Sequence, residues 1–460
     1  MQKPAVKKYI IKDKIKFDKK KEKIKQIRCS IKKFEKEQRS IQKQIEGDFV
    51  IKIAKKIASF DLYNQNASAD FFDPEWMFGV TEGFDIVIAN PPYGADMGGQ
   101  TLQKIVETYS YYDRQKNSAS FFIELASRLV KKNAIVTYIV PKSLSFSEGW
   151  QKTRRLITEI NTLHIVADVS KSFENVLLEA IIISFLKRET QTYSFKAAEG
   201  WNNEIILTGY PTNELIKELD ILPVYMTPAR LNILRKISLS SVPLSAISQT
   251  FRGLPLQNKV SKNGDYILRG KNIGRFKIYG EIDKILLPED YLQKKKVKYI
   301  MQKKIVSQNI VAHVLNPYDR IIIMASLDKE GLLTLDTVMN TIMTSRDYAY
   351  EYILALLNSR LASWFYYWFV YNRAVRTMHF DKYYIGKLPI KNISLSDQQS
   401  FITLVSQILA VKQHTTQSPL NRGENPNADT SALEHQIDQM VYQLYSLTDE
   451  EIKIVEGNNS

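Results

Sequence analysis

One apolar segment, residues 84–89 with the sequence FDIVIA, ends at Asn90, Pro91, Pro92 and Tyr93. Two successive prolines remove backbone donors and fix φ, so a β-ladder cannot continue beyond this point. A strand that ends in this way places a polar side chain and a stiff backbone at its carboxyl end, where open α/β sheets bind their ligands. The segment therefore predicts a fixed hydrogen-bonding site at one edge of a sheet.

The neighbouring sequence alternates between short apolar runs and amphipathic helices. Apolar runs occupy residues 84–89, 134–140, 163–169 and 180–186, and helices are predicted at 118–131 and 150–160. Continuous apolar runs between helices are typical of strands that are buried on both faces. The pattern predicts an α/β fold that contains part of a doubly wound, Rossmann-like sheet.

Changes in composition divide the chain into five predicted regions. They are a basic, coiled-coil-like helical segment (1–60), the α/β region (61–190), a linker (191–225), a mixed α+β region (226–390) and a helical C-terminal region (391–460) with a flexible loop at 415–430. In the first region, the spacing of Ile24, Ile27, Ile31 and Phe34 predicts one apolar stripe along a helix.

The positive charge is concentrated in two stretches. The formal net charge is +15, and residues 1–60 contribute most of it because they hold 20 Lys and Arg against 7 Asp and Glu. Residues 251–304 hold 14 basic and 5 acidic residues. Basic patches of this kind are compatible with nucleic-acid binding, but a run of charge can equally be an ordinary solvated surface.

Several classes of protein are excluded by composition. The longest apolar stretch, 352–371, is interrupted by polar residues at 358–360, so it is too short to span a bilayer. No secretory signal is recognisable, and the single cysteine, Cys29, cannot form an internal disulfide, so we expect a cytoplasmic protein. The five histidines are never paired at ligand spacing, so no metal site is expected.

Five segments carry a resemblance to a known family. Asn-Pro-Pro-Tyr after an apolar strand resembles the catalytic motif of amino-group DNA methyltransferases that use S-adenosylmethionine. Residues 72–80 (FDPEWMFGV) are similar to type IIG restriction-modification methylases, whose methyltransferase part is TaqI-like and specific for adenine N6. Residues 268–273, 356–361 and 387–390 resemble the TaqI-like target-recognition domain. The resemblance implies a methyltransferase sheet followed by a DNA target-recognition domain.

The resemblance also implies roles for the motif residues. The side-chain oxygen of Asn90 and the carbonyl of Pro91, held by Pro92, would accept hydrogen bonds from the adenine amino group. Tyr93 and Phe173 would stack on the flipped base, and Phe122 together with Asn90 would contact S-adenosylmethionine. By itself, Phe122 lies on an apolar helix face, and such a residue is more often part of the core than a cofactor contact.

Double-stranded DNA is the partner that this family implies. Arginine and asparagine side chains can make bidentate contacts with base edges, and lysines bind phosphates. The candidates for DNA contact are Arg252, Arg269, Lys271, Asn272, Arg275, Lys277, Arg373, Arg376 and His379. The alternative is an ordinary basic surface. By contrast, the aromatic run at 364–369 is interpreted as helix core.

One element of the family pattern is missing from the sequence. These enzymes bind their cofactor with a glycine-rich turn upstream of the catalytic motif, and the only glycines before Asn90 are Gly47, Gly79 and Gly83. We therefore expect the chain to correspond to the C-terminal part of a longer enzyme and to need an upstream polypeptide for full cofactor binding. The alternative is a catalytically inactive DNA-recognition module. No nuclease site is recognisable, so restriction activity is not expected.

Overall fold

The computed structural model describes residues 20–36, 38, 55, 58, 74–94, 99–112, 117–170, 178–201, 204–375, 378–413 and 429–457. The chain forms two compact units, Met1–Thr81 and Glu82–Ser460. The first unit contains helix α1 over residues 20–36 and helix α2, Pro74–Phe78. Helix α1 confirms the helix predicted there, and its apolar stripe is exposed, with Phe34 69% accessible.

The second unit begins with a six-stranded mixed sheet in the order β1-β2-β4-β3-β5-β6. Its strands are β1 Phe84–Ala89, β2 Val130–Pro141, β3 Thr162–Asp168, β4 Ala180–Leu186, β5 Lys196–Trp201 and β6 Glu204–Gly209. Strand β1 is parallel to β2, and β4 is antiparallel to both β2 and β3. Strands β1, β2 and β3 therefore point the same way, and their carboxyl ends meet at one edge of the sheet.

Helices connect and cover these strands. They are α3 Gly99–Thr108, α4 Ser118–Leu129, α5 Gln151–Arg155, which continues as a π turn over Leu156–Ile160, and α6 Asn213–Leu219. Helix α4 begins at the N-cap Asn117, whose side chain accepts a hydrogen bond from the amide of Ala119. Its apolar face, including Ile123 and Ala126, is buried in the core of the sheet.

Two predictions about this part need correction. Strand β1 is not buried on both faces: it lies at the edge of the sheet, and Ile86 and Ile88 are 57% and 75% exposed. Residues 191–225 are not a linker, because they contain β5, β6 and α6. Strand β5 pairs in parallel with β3, which extends the sheet beyond the predicted boundary at residue 190.

The remaining part is a mixed α+β arrangement, as expected from the sequence. Its two larger sheets have the orders β17-β14-β19-β8 and β18-β10-β13-β9. The strands are β7 Ser241–Pro243, β8 Ser248–Arg252, β9 Val260–Ser261, β10 Asp265–Leu268, β11 Ile273–Gly274, β12 Lys277–Ile278, β13 Asp283–Ile285, β14 Lys304–Gln308, β15 Ala312–Val314, β16 Arg320–Ile322, β17 Ala325–Asp328, β18 Leu333–Thr334, β19 Val338–Met343 and β20 Pro389–Lys391.

Helices complete this part and close the chain. They are α7 Pro228–Ser238, α8 Leu244–Ile247, α9 Glu289–Leu292, α10 Lys295–Ile300, α11 Tyr350–Asn358, α12 Arg360–Phe365, which continues as a π turn over Tyr366–Val370, α13 Lys382–Ile385, α14 Gln399–Gln413, α15 Ser431–Leu444 and α16 Asp449–Val455. The aromatic run at 364–369 is core as predicted, except that Trp368 is half-buried. Most of the predicted loop, residues 414–428, lies outside the described residues.

Within the part of the chain that the structure describes, no helix is long and apolar enough to cross a bilayer.

A buried polar cluster joins the α/β part to the mixed part. Arg154 of α5 is 1% exposed and forms an ion pair with Asp220 at 3.0 Å. Lys387 donates to the carbonyl of Leu219 at 2.6 Å and to the hydroxyl of Tyr383 at 2.9 Å. Burial lowers the pKa of Lys387 to about 7, because the attraction of Asp220 does not compensate for the loss of water.

This lowered pKa predicts a pH-dependent stability. Between about pH 7 and pH 9 the unfolded chain holds a proton on Lys387 that the folded chain has released, so this group makes the free energy of unfolding rise with pH. We expect the Lys387→Met variant to show a smaller rise than the wild type in urea unfolding across this window. The exposed Lys382→Met variant is the control and should keep the wild-type slope. Equal slopes for Lys387→Met and wild type would contradict the assignment.

Candidate active site at the carboxyl edge of the sheet

The four residues of the Asn-Pro-Pro-Tyr motif lie where β1 ends. Asn90 is exposed, Pro91 is buried and Tyr93 is half-buried. The Tyr93 hydroxyl lies 2.8 Å from Oδ1 of Asn90 and 2.9 Å from the carbonyl oxygen of Ile139 in β2, and both oxygens can accept its proton. Burial raises the pKa of Tyr93, so its hydroxyl stays a donor at neutral pH. The side chain of Asn90 is thereby oriented by the neighbouring strand.

The loop after the motif is fixed by the start of helix α4. The hydroxyl of Ser118 donates to the carbonyl oxygen of Pro92. The preceding residue, Asn117, is the N-cap of that helix. The motif is therefore attached on one side to β2 and on the other to α4. Ser118 was not singled out from the sequence, because only the fold brings it to the motif.

Phe122 lies one turn further along α4. It is half-buried, and its ring centroid is 4.3 Å from that of Phe121. Phe122 and Tyr93 both pack against the core of the sheet. This position is compatible with the predicted contact with a cofactor, which stays a prediction. Phe173, the second predicted stacking residue, lies outside the described residues.

A buried charged cluster follows the motif along the same edge of the sheet. Lys142, directly after β2, is 3% exposed and lies 2.7 Å from Asp168 at the end of β3 and 3.0 Å from Glu179. The Tyr225 hydroxyl also donates to Asp168. Burial by itself would raise the pKa of Asp168, but Lys142, Ser170 and Tyr225 outweigh it, so that pKa is lower than usual. Sequence reasoning missed this cluster.

The cluster also binds the backbone of the mixed part. Lys142 donates to the carbonyl of Arg373 at 3.2 Å, and Glu179 accepts from the amide of Val375 at 3.1 Å. Arg373 has a φ of +55°, a left-handed conformation that is strained for a residue other than glycine. Its side chain points to Glu199 and Asp319, at 3.6 and 3.8 Å. Arg376 lies outside the described residues.

The predicted DNA-binding residues near 270 differ in their availability. Lys271 is exposed. Arg252 is also exposed, and its Nε donates to the carbonyl of Asp336 at 2.5 Å, which leaves the other guanidinium donors at the surface. Arg269 forms an ion pair with Asp283. Arg252 and Lys271 are therefore the two of this group whose positions best suit a contact with DNA.

The expectation for Asn272 is corrected by its surroundings. The side chain is 1% exposed, its oxygen accepts from the amide of Arg269 at 3.0 Å, and its Nδ2 donates to the carbonyls of Tyr279 and Glu281, each at 3.0 Å. A buried amide with these partners is not available to a base edge. Asn272 therefore stabilises the turn that presents Lys271.

Three more residues of the predicted set, Arg275, Lys277 and His379, also make contacts within the protein. Arg275 donates twice to Glu434, at 2.8 and 3.1 Å, and once to the carbonyl of Asn358. Lys277 lies 4.5 Å from the ring centroid of Tyr279. The backbone of His379 bridges to Ile310. These contacts connect strands and helices of the mixed part.

Two segments of the chain match models of known protein families. Residues 12–174 match the Eco57I restriction-modification methylase, and residues 265–390 match the TaqI-like C-terminal specificity domain. No curated protein matches the chain.

Solved structures show similarity at low identity. The type IIL restriction-modification enzyme MmeI in complex with DNA is 10% identical, with a TM-score of 0.47, over 80% of this chain and 55% of that one. The type IIG restriction endonuclease BpuSI is 12% identical, with a TM-score of 0.30, over 80% and 54%. A class I S-adenosylmethionine-dependent methyltransferase from Listeria monocytogenes is 15% identical, with a TM-score of 0.22, over 24% and 34%. The chain thus spans about half the length of the first two.

Proposed function

Because this chain combines an Eco57I restriction-modification methylase segment with a TaqI-like C-terminal specificity domain, we propose that it is a site-specific DNA methyltransferase of a restriction-modification system. We propose adenine N6 as the methylated atom and S-adenosylmethionine as the methyl donor. The observation that carries the proposal is the oriented Asn90 at the carboxyl end of β1, with Tyr93 bonded to it and to β2.

Methyl transfer to adenine depends more on hydrogen-bond acceptors for the amino group than on a general base. The exocyclic nitrogen of adenine is a poor nucleophile, because its lone pair is delocalised into the ring. Hydrogen bonds from its two N–H groups to Oδ1 of Asn90 and to the Pro91 carbonyl would favour a pyramidal nitrogen with an available lone pair. Oδ1 has two lone pairs, so it can accept from Tyr93 and from the substrate together.

The flipped base also needs a surface on which to stack. Tyr93 is half-buried against the sheet core, so little conformational entropy remains to be lost when a ring packs on it. Stacking contributes about 1 to 3 kcal/mol per base and offsets part of the cost of removing the base from the duplex. Phe173 is proposed as the second stacking residue.

The described residues account for only part of a binding site for S-adenosylmethionine. That cofactor would supply the methyl group, and we propose that Phe122 and Asn90 contact it. The glycine-rich turn of the family is not found before Asn90. Within the described residues, β1 pairs only with β2, so its other edge is unpaired there, and the exposed Ile86 and Ile88 give this strand an apolar face. We propose that an upstream polypeptide pairs with this edge and completes the cofactor site.

DNA binding is proposed for the basic surface of the mixed part. Arg252 and Lys271 are exposed there, and the TaqI-like match includes Lys271. Phosphate contacts would position the duplex, and such binding weakens as salt increases.

The hydroxyl of Tyr93 yields a separate prediction. Tyr93→Phe keeps the ring for stacking but removes the hydrogen bonds to Asn90 and Ile139. We expect kcat to fall about tenfold, because Asn90 loses its orientation, while KM for DNA changes by less than about threefold. Steady-state methylation kinetics provide the measurement. The conservative Tyr111→Phe variant is the control, and a change of KM without a change of kcat would contradict the positioning role.

The direct test is methyl transfer. The purified chain, alone and with the product of the reading frame upstream, is incubated with labelled S-adenosylmethionine and DNA, and the nucleosides are then separated. We expect label in N6-methyladenine. Label in N4-methylcytosine would overturn the adenine assignment. Salt-sensitive DNA binding without transfer in either preparation would favour a recognition module that does not turn over.

A further inference from the structure

A cavity of about 610 Å³ lies within the second unit, away from the Asn-Pro-Pro-Tyr motif. It is lined by α7, the turn between β15 and β16, helix α12 with its π turn, Arg373 and the end of α16. Three aromatic side chains of the π-turn region contribute to the wall, Trp364, Tyr367 and Trp368. We call it the arginine cavity, because five arginines line it: Arg230, Arg275, Arg320, Arg360 and Arg373. Its volume is in the range of small-molecule sites.

Two of these arginines are neutralised by close carboxylates. Arg275 lies 2.8 Å from Glu434, and Arg360 lies 3.3 Å from Asp438 and 3.2 Å from Glu456. Pairs at this distance satisfy both partners. Arg275 and Arg360 therefore line the cavity without leaving an unpaired charge for a ligand.

The other three arginines are not neutralised in this way. Among the described residues, neither Arg230 nor Arg320 has a carboxylate within ion-pair distance, and Arg373 has only the longer contacts of 3.6 Å to Glu199 and 3.8 Å to Asp319. Asp319 is 43% exposed, so it can turn away. This wall carries more positive than negative charge and would favour an anion.

Arg230 carries the strongest indication of a ligand. Its guanidinium carbon lies 3.6 Å from the ring centroid of Trp368, and the guanidinium carbon of Arg373 lies 5.2 Å from the same ring. Among the described residues its buried Nε has no hydrogen-bond partner, and its guanidinium makes a long hydrogen bond of 3.4 Å, from Nη1 to the carbonyl of Tyr225. Burial and the charge of Arg373 lower the pKa of Arg230 to about 10, which still leaves it charged at neutral pH.

A second buried donor lines the cavity. The indole Nε1 of Trp364 is also buried, and no described residue accepts a hydrogen bond from it. Unsatisfied buried donors are rare in folded proteins and cost stability, so two on one cavity indicate a group that accepts their hydrogen bonds. A ligand with acceptor oxygens would accept hydrogen bonds from these two donors. A flat ring on the same ligand would pack against the aromatic side chains of the cavity.

We propose that the arginine cavity binds a nucleotide, with its phosphate on Arg230, Arg320 and Arg373 and its base among Trp364, Tyr367 and Trp368. This site is distinct from that of the target base. The cavity adjoins β5 through the contact of Arg373 with Glu199, and β2, β4 and β3 separate β5 from β1. None of the residues that line the cavity belongs to the Asn-Pro-Pro-Tyr motif. The nucleotide can be free or part of bound DNA.

Calorimetric titration of the whole chain with dAMP tests the proposal. We expect saturable binding that weakens with salt, and binding of deoxyadenosine and of ribose 5-phosphate that is weaker by at least about tenfold, since each lacks half of the contacts. A short DNA duplex is then added as a competitor. Competition identifies DNA as the source of the nucleotide, and its absence identifies a free nucleotide. If dAMP shows no saturable binding, the proposal is wrong.

Variants of helix α7 separate ligand binding from a structural role. Arg230→Met removes the charge, and Arg235→Met makes the same change at an exposed position on the same helix. We expect dAMP affinity to fall at least about tenfold in Arg230→Met and to be unchanged in Arg235→Met. Without ligand, Arg230→Met should melt no lower than the wild type, because the substitution removes a largely buried charge that no carboxylate neutralises.

Two outcomes would overturn the assignment of Arg230. One is equal dAMP affinity in the two variants. The other is a lower melting temperature of Arg230→Met with undiminished dAMP binding, which would make Arg230 a structural residue. Should Arg230→Met fail to fold, Arg320→Met removes a charge from the hairpin side of the arginine cavity and is expected to weaken dAMP binding in the same way.

Discussion

Replacing Asn90 with alanine should reduce methyl transfer by at least about a hundredfold, the size of effect produced by removing one oriented hydrogen-bonding group from a transition state. The variant loses the oxygen that Tyr93 orients at the end of β1, and with it the acceptor for the amino group. DNA affinity should change by less than about threefold, because Asn90 is not one of the basic residues that are proposed to bind the duplex. Single-turnover methylation and salt-dependent DNA binding are the two measurements.

The exposed Asn392→Ala provides the matched control and should keep full activity. Both variants are measured in the preparation that shows transfer, either the chain alone or the chain with the upstream polypeptide. Transfer that persists in Asn90→Ala would show that the motif is a turn after a strand and not the catalytic site. A loss of DNA binding along with transfer would point to misfolding instead of a chemical effect.

Replacing Lys142 with methionine should lower the free energy of unfolding by about 3 to 5 kcal/mol. Lys142 is 3% exposed, and its removal leaves Asp168, 4% exposed, and Glu179 without their cation. A buried carboxylate without a partner is much costlier than the pair is favourable. Urea unfolding monitored by circular dichroism gives the value.

The control is Lys329→Met, which removes a lysine from the surface and should cost less than about 0.5 kcal/mol. Adding Asp168→Asn to Lys142→Met should recover part of the loss, since the amide no longer requires a cation. A loss below about 1 kcal/mol for Lys142→Met alone would mean that water reaches the carboxylates.

The strands that the sequence predicted well are those with continuous apolar runs and clear ends. Strand β1 ends where the prolines begin, and β4 coincides with the apolar run at 180–186. The missed strands, β5 and β6, contain glycines that were interpreted as loop residues. A Cβ on Gly200 would lie 3.0 Å from Val169, and one on Gly209 would lie 1.8 Å from the carbonyl of Met226. These glycines permit close packing within the sheet, which composition does not distinguish from a turn.

The site was predictable to the extent that it is local. The Asn-Pro-Pro-Tyr motif is contiguous, so its place at a strand end followed from the sequence. Lys142 and Arg373 are 231 residues apart, and only the fold makes them partners. The error on Asn272 has a similar origin, because residue type indicates that an amide can contact a base but not that backbone groups have already bound it.

The contacts of Lys142 and Glu179 with the backbone at residues 373 and 375 have a consequence for engineering specificity. A chimera that exchanges residues 226–390 for those of a relative would also replace this backbone. The incoming segment must then place a carbonyl and an amide where those of residues 373 and 375 now lie. Otherwise Lys142 and Glu179 lose these hydrogen bonds. Exchange restricted to the loops around Arg252 and Lys271, which are proposed to contact DNA, leaves that junction intact.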